Sequence, residues 1–347
     1  MATAINFDVS KSNNKSHIEN KSYNAIVHNQ EEFLNNTNFL LEDVKREYQE
    51  LSLNDVKDDN KFEHLSSKEK GFYLDEQYVK NNINQKKSLN EISYASRAIE
   101  NAQSNDSYPT DSLSDLFDEV KQSIVAGKND YLDVLKDIFS KYMDFVKELR
   151  EILTELSQAT KAGSKDGYIN INVDSLSDKL YFLKAKWKNK NVFSTLMAFN
   201  KENDGRFYRI INGEKIYYKN SIEVYNTVDA VENLLNQLKG VASKKDDQSP
   251  GVIPNMYFVF NVGLDLSGLD KLVSYLDNMP NGEHDILQTE FDLIKKTLDA
   301  VEKGVNTNLD ELSKKYSAAN SNYDNFVKIV SSTMNTLLEM AKGFLRF

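Results

Sequence analysis

The chain has 347 residues, no cysteine and a formal net charge of −10. Without cysteine there is no disulfide framework, thiolate metal site or cysteine nucleophile, and the acidic balance disfavours a nucleic-acid binder held by phosphate contacts. Only four Pro and 13 Gly occur, which favours long helices over an all-β fold. No apolar run approaches the roughly 20 residues that span a bilayer, so direct transmembrane insertion is not expected.

Residues 1–28 are rich in Ser, Asn and Lys and lack the basic start and apolar core of a cleaved export signal. They are expected to form an unfolded tail. From 29 to 108 the pattern is helical and polar. Phe33, Leu40, Leu41, Val44 and Leu51 recur at helical spacing, Tyr73, Leu74 and Tyr78 open a second stretch, and an Asn- and Asp-containing break covers 52–60. A helical hairpin is the natural reading. Pro109 marks its end, with Thr110 or Asp111 available to cap the next helix.

Residues 110–162 carry the cleanest apolar spacing. Phe117, Val120, Ile124, Gly127, Tyr131, Leu135, Ile138, Tyr142, Phe145, Leu149, Ile152 and Leu156 succeed one another in steps of three or four. This is a heptad-like seam and predicts the first helix of a coiled coil. A second column, Leu132, Phe139, Val146 and Leu153, calls for another neighbour, for which the hairpin is the candidate.

Residues 163–282 differ in texture. GYININV at 167–173 alternates as a strand, and Asp174 or Ser175 can cap a helix reaching Trp187. Two aromatic and β-branched stretches, 191–200 and 207–218, predict strands, and Asn212-Gly213 is a two-residue hairpin signal. A helix is expected from about Thr227 to Gly240, then a polar stretch over 241–254, an apolar strand over 256–262 and a short helix over 267–279. Residues 283–347 return to a helical seam, from Leu287 and Phe291 through Tyr316, Ala319, Tyr323, Phe326 and Val330 to Phe344. With equal rise on both long helices, facing positions would sum to about 445, placing Gly127 opposite Ala318 and Ala319. The expected fold class is mainly α with an α+β insertion: a long antiparallel coiled coil, an N-terminal helical hairpin and a mixed α/β domain inserted between the coiled-coil helices.

Catalytic chemistry is not evident. His17, His28, His64 and His284 are isolated, and none has a metal-ligand partner at the usual spacing. Residues 265–270, DLSGLD, lack the regular oxygen ligands and final Glu of a calcium loop and read as a strand exit and helix cap. Glu148 and Glu151 lie on an exposed helical face, and Trp187 reads as a core anchor. The Phe207-Tyr208 and Tyr217-Tyr218 pairs read as cross-strand packing. No enzyme, cofactor or metal is expected.

Residues 315–334, KYSAANSNYDNFVKIVSSTM, carry more Asn, Asp, Ser and Thr than a packed helix demands. This run, together with DYLDVLKDIFSKYMDFVKEL at 130–149, resembles the type III secretion needle-tip proteins, the invasin tip family of enteric bacteria. The order of elements resembles that family as well. The resemblance implies a non-enzymatic protein, secreted by the type III pathway, that caps the needle at the bacterial surface, controls secretion and supports translocator assembly at the host membrane. It implies as partners the needle subunit, a hydrophobic translocator and further copies of the chain, in a ring that family resemblance makes a pentamer. It also implies that the hairpin acts as an internal chaperone over the coiled coil. Position by position, it assigns Asn320, Ser321, Asn325, Lys328, Ser332, Lys342 and Phe344 to a needle or assembly interface, and Lys342 and Phe344 to a bile-salt cleft. Composition and heptads alone equally suit an intracellular coiled-coil adaptor or secretion chaperone.

Overall fold

The computed structural model describes residues 30–50, 64–103, 111–188, 192–249 and 255–345. The expected tail, the 52–60 break, Leu51, Pro109, Thr110 and Phe347 lie outside these residues. Two helices, α1 (Gln30–Glu50) and α2 (Ser67–Gln103), form the hairpin region. Helix α3 (Asp111–Val125) continues through a π-helical segment (Ala126–Leu132) into α4 (Asp133–Ala159) without leaving helical dihedrals. The C-terminal helix α8 runs from Gln288 to Leu345, about 87 Å at 1.5 Å per residue.

Long helices of this kind are stable only where an apolar stripe is covered, and the cover on α8 changes along its length. Its upper half pairs antiparallel with α4: Arg150 donates to Glu302 at 3.0 Å and to Asn306 at 2.9 Å, and Asn308 donates to the Tyr142 hydroxyl at 3.0 Å. Its lower half packs mainly on α2, with α1 alongside, while α3 packs on α1 and α2. The lower rod is therefore a bundle in which the hairpin helices stand between α3 and α8. Helix α1 runs antiparallel to α8, as Phe33 meets Phe344 and Tyr48 meets Phe326. Helix α2 runs parallel to it at a nearly constant offset of 240, from Lys70–Asp310 through Asn84–Asp324 to Glu91–Ser331.

The π segment modifies the expected register. The Asp133 N–H reaches the Lys128 carbonyl, a five-residue step that fits more residues into each turn. Contacts on either side of it, Ile124 with Tyr323 and Tyr142 with Asn308, are eighteen residues apart on one helix and fifteen on the other. Equal rise on the two helices does not hold across this stretch. The wide turn also buries Lys128, which donates to Asp133 at 2.6 Å and lies over the Tyr78 ring. Polar contacts tie the neighbours in: Gln85 of α2 donates to Asn129 at 2.6 Å, and Asn212 donates to Gln85 at 2.9 Å.

Between α4 and α8 lie two antiparallel sheets. Strands β1 (Lys161–Ala162), β2 (Tyr168–Asn172) and β8 (Glu283–Leu287) form the small one, where β2 pairs with β8 from Tyr168–Leu287 to Asn172–Glu283. Residues 283–287 are thus a strand, and the second rod helix starts at Gln288 instead of 283. Asp285 fastens this neck by accepting from the Ser164 N–H at 2.7 Å and from Asn170 at 3.1 Å, and Glu290 accepts the Leu287 N–H as the helix begins.

The larger sheet has the order β5-β4-β3-β7-β6, from β3 (Phe193–Lys201), β4 (Phe207–Ile211), β5 (Glu214–Tyr218), β6 (Val241–Asp247) and β7 (Met256–Leu264). The Asn212-Gly213 turn closes β4 on β5 with φ of 52° and 84°, the positive pair that a two-residue hairpin requires. Three expectations change here. Helix α5 (Val173–Lys188) is capped by Asn172, whose side chain accepts the Ser175 N–H, so neither Asp174 nor Ser175 is the cap. Helix α6 (Ser221–Asn236) begins six residues before Thr227, because Asn220 accepts the N–H groups of Ile222 and Glu223. Part of the polar stretch after it is the edge strand β6, whose Lys244 and Lys245 suit a sheet edge.

Helix α7 (Ser267–Leu276) comes after β7, and Asp265 accepts the Ser267 N–H in the DLSGLD run. Gly240 sits where this domain touches the rod: its φ is 77°, and a Cβ would stand 2.5 Å from the Tyr142 hydroxyl. Trp187 is buried, edge-on to Phe145, and donates to Glu148 at 3.2 Å. Phe207 and Tyr218 are core residues, whereas Tyr208 and Tyr217 are half-buried on the opposite face beneath Lys215 and Arg206.

Candidate functional site

The seven residues singled out on α8 separate into two groups. Ser321, Asn325, Lys328, Ser332 and Lys342 share one stripe, with steps of four, three and four and then a ten-residue gap that Asn335 and Glu339 fill at the same periodicity. All are exposed except half-buried Ser321. Asn335 and Glu339 are missing from the set expected from sequence, although the three-and-four spacing from Ser332 to Lys342 already points to them.

Asn320 and Phe344 do not belong to that stripe. Asn320 is only 5% exposed; it accepts from Asn81 at 2.8 Å and donates to Gln77 at 3.1 Å. It stands four residues after Tyr316 and three before Tyr323, so the seam spacing places it on the buried face. Phe344 stacks on Phe33 with ring centroids 4.9 Å apart and an interplanar angle of 20°. A partner would reach buried Asn320 only by displacing α2, whereas Phe344 is half-buried with one ring face against Phe33 of α1. A steroid stacked on that face would compete with Phe33. Lys342 is exposed and pairs with Glu339 at 2.7 Å. Met334, Leu337, Met340 and Ala341 of the same helix are all buried in the hairpin-containing bundle.

The rim between α2 and α8 is ionic. Asp324 pairs with Lys80 at 3.1 Å and with Lys328 at 2.9 Å. Burial acts to raise its carboxyl pKa, but hydrogen bonds from the two lysines outweigh burial and hold it below the ordinary value. Further down, Ser331 donates to Glu91 at 2.7 Å, and Lys87 lies 3.6 Å from the same carboxylate. The stripe can therefore present hydrogen-bonding amides, a hydroxyl and two ammonium groups to a partner, on a rigid helix whose far side is packed.

Among the described residues no His, Asp and Glu group has the arrangement of a metal site, and no helix is long and apolar enough to cross a membrane. A cavity of about 300 Å³ lies by the π segment, lined by Asp130, Asp133, Asp137, Thr195 and Arg209 among others. Arg209 spans Asp130 with two hydrogen bonds, 2.9 and 3.1 Å, and fixes β4 to the rod. Asp133 and Asp137 are both pushed upward by burial, against the opposing pull of neighbouring lysines.

The chain is similar to the cell invasion protein SipD of Salmonella typhi, 29% identical over 243 residues that cover 69% of this chain and 63% of that protein. It is similar to the invasin IpaD of Shigella flexneri, 24% identical over 235 residues, covering 67% and 60%. The match thus spans less than two thirds of the length of these relatives. Among solved structures, BipD of Burkholderia pseudomallei aligns with a TM-score of 0.43 at 14% identity, covering 77% of this chain and 81% of that one. The family model of type III secretion systems tip complex components matches residues 8–345, so the chain belongs to that family.

Proposed function

We propose that this protein caps the needle of a type III secretion system outside the bacterium, restrains secretion before host contact and carries the hydrophobic translocator at the host membrane. Its work is assembly and conformational change, with no catalytic step. The observation that best supports this reading is the exposed stripe Ser321, Asn325, Lys328, Ser332 and Lys342, beside a hairpin that covers Met334, Leu337 and Met340. The stripe offers directional contacts to the needle subunit. Movement of α1 and α2 would add Asn320, Phe344 and the covered apolar residues to a contact with further copies of the chain.

The test is antibody labelling of intact, unpermeabilised bacteria with and without the needle subunit gene. Punctate surface label that disappears with the needle gene is the expected result. Protein retained in the cytosol of induced, needle-competent cells would instead favour an intracellular adaptor.

A further inference from the structure

The larger sheet ends at β6, and the outward side of that strand is an unused ladder. Asp265 donates to the Gly240 carbonyl and Gln248 to the Tyr257 carbonyl, in a register that pairs Val241 with Leu264 and Asp247 with Phe258. Bonding residues alternate along an antiparallel pair. Ala242, Lys244 and Asp246 therefore turn their N–H and C=O groups to β7, and Val241, Ser243, Lys245 and Asp247 turn theirs outward. The opposite edge is closed, because Gln122 of α3 donates to the Tyr217 carbonyl of β5. Among the described residues no strand pairs with the outward side of β6.

Lysines on an edge deter indiscriminate pairing, but the order Lys244-Lys245-Asp246-Asp247 complements itself when reversed. Lys244 and Asp246 stand together on the open face of the sheet, 2.8 Å apart, with side chains 75% and 35% exposed. A second β6 laid antiparallel, with Lys245 on the two-fold axis, sets Lys244 against Asp246 and Asp246 against Lys244, and Ala242 meets Gln248. A parallel copy in register would set Lys on Lys and Asp on Asp. On the α6 side Ser243 meets Asp247, and the two Lys245 meet at the axis with Asp247 diagonal to each. Each Lys245 is already paired within its own chain with Glu232 and Asp229 of α6.

We infer that two copies of this chain pair through β6 across a two-fold axis, antiparallel, and join their five-stranded sheets into one. Ser243, Lys245 and Asp247 carry the backbone hydrogen bonds, and the Lys244–Asp246 pairs fix the register. Just before β6 begins, Lys239 donates to Glu311 of α8 at 3.0 Å, so the antiparallel ladder carries the two rods at opposite ends. The contact uses the same surface on both copies and closes at two, whereas a ring is built from head-to-tail contacts. It is therefore a different association from the ring of the proposed function and does not rest on that reading.

The experiment is sedimentation velocity on the purified full chain over a concentration series, in which the parent should show a monomer–dimer equilibrium. Lys244→Asp and Asp246→Lys each create two like-charge contacts per dimer and should weaken dimerisation by about tenfold or more. Combining the two reversals restores opposite charges at both positions and should restore the dimer. Ser243→Pro removes an outward N–H and leaves the ladder to β7 its own bonds, so it should weaken the dimer while the thermal unfolding midpoint stays at the parent value. A parent that remains monomeric up to about 100 μM would overturn the inference. Self-association indifferent to the proline and to both reversals would place it elsewhere on the chain and overturn it as well. A double reversal that dimerises no better than the single ones would do the same, because the Lys–Asp pairs would not set the register.

Discussion

Asn81 and Asn320 face each other across the seam between α2 and α8, joined by a 2.8 Å hydrogen bond with both side chains almost fully buried. Asn320 also donates to Gln77, so one position on α8 engages two successive turns of α2. Polar groups at such a site select one register and one partner at some expense of stability. Asn320→Ala should leave Asn81 and Gln77 without their partner and destabilise the chain by about 1–3 kcal/mol. Replacing both asparagines by Leu should recover that loss or exceed it. Urea unfolding of the parent and the two variants checks the order, and an Asn320→Ala variant as stable as the parent would refute the seam's polar role.

The stacked pair Phe33–Phe344 closes the lower end of the bundle. Phe33 is fully buried, and Phe33→Ala should cost about 3 kcal/mol through lost packing and the cavity it leaves. It should also uncover Phe344 and the residues beneath it. We expect increased self-association by light scattering and increased binding of an apolar dye. A monomer that stays monomeric with Phe33 removed would count against the hairpin as a mask over the assembly surface.

Much of this architecture is legible because the long helices advertise their buried faces. The seam from Phe117 to Ile152 and the seam from Phe291 to Phe344 each keep a period of three or four, and a buried helix face can hardly be encoded otherwise. What the pattern does not carry is which helix covers which stretch. Equal rise pairs the two rods down to about Ser332, yet below Tyr316 the partner of α8 is chiefly α2, whose outward stripe mixes apolar with charged residues and blurs its period. The π segment is hidden for a related reason: Gly127, Lys128 and Tyr131 fit a continuous α-helix equally well until the Lys128–Asp133 contact fixes the wider turn. The helix starts set by Asn172 and Asn220 differ from expectation because an Asn cap competes with equally plausible polar residues further along the chain. At the candidate site, resemblance supplied the residues, and periodicity would have removed Asn320 and added Asn335 and Glu339.

Acid should loosen the hairpin. Asp324 is held below its ordinary pKa of 3.8, against the opposing effect of burial, by hydrogen bonds from Lys328 and Lys80. A depressed carboxyl favours the folded state when ionised, so its contribution is present above that value and fades as pH falls through the lower folded-state pKa. Asp324→Asn should remove up to about 1 kcal/mol at neutral pH and flatten this part of the pH dependence. Urea midpoints measured from about pH 5 to pH 3 should therefore converge between parent and variant; parallel curves would exclude Asp324 as an acid-sensitive tie.

Lys328→Glu tests the stripe separately from the bundle. Lys328 is exposed, and its link to Asp324 is one of three side-chain contacts that carboxylate makes, beside Lys80 and Asn84, so the change in stability should stay within about 1 kcal/mol. Binding of monomeric needle subunit, in contrast, should fall by about tenfold, because the charge is reversed at the middle of the polar stripe. Unchanged affinity with unchanged stability would remove Lys328 from the interface.

Arg209 and Asp130 tie the inserted domain to the rod. Their side chains are 12% and 10% exposed, joined by two parallel hydrogen bonds, and the guanidinium lies over the Phe199 ring at 5.3 Å. Because Asp130 projects from the π segment, the wide turn and the domain contact depend on each other. Asp130→Ala strands a buried guanidinium and should cost about 3–5 kcal/mol. Arg209→Met with Asp130→Ala removes both charges and should recover most of that loss. Limited proteolysis should report where the weakness lies: cleavage of the inserted domain should rise in Asp130→Ala while α2 and α8 keep their protection. If the double variant is no better than the single one, the pair does not act as a unit, and the domain is held by its other contacts, Asn212–Gln85 and Trp187–Glu148 among them.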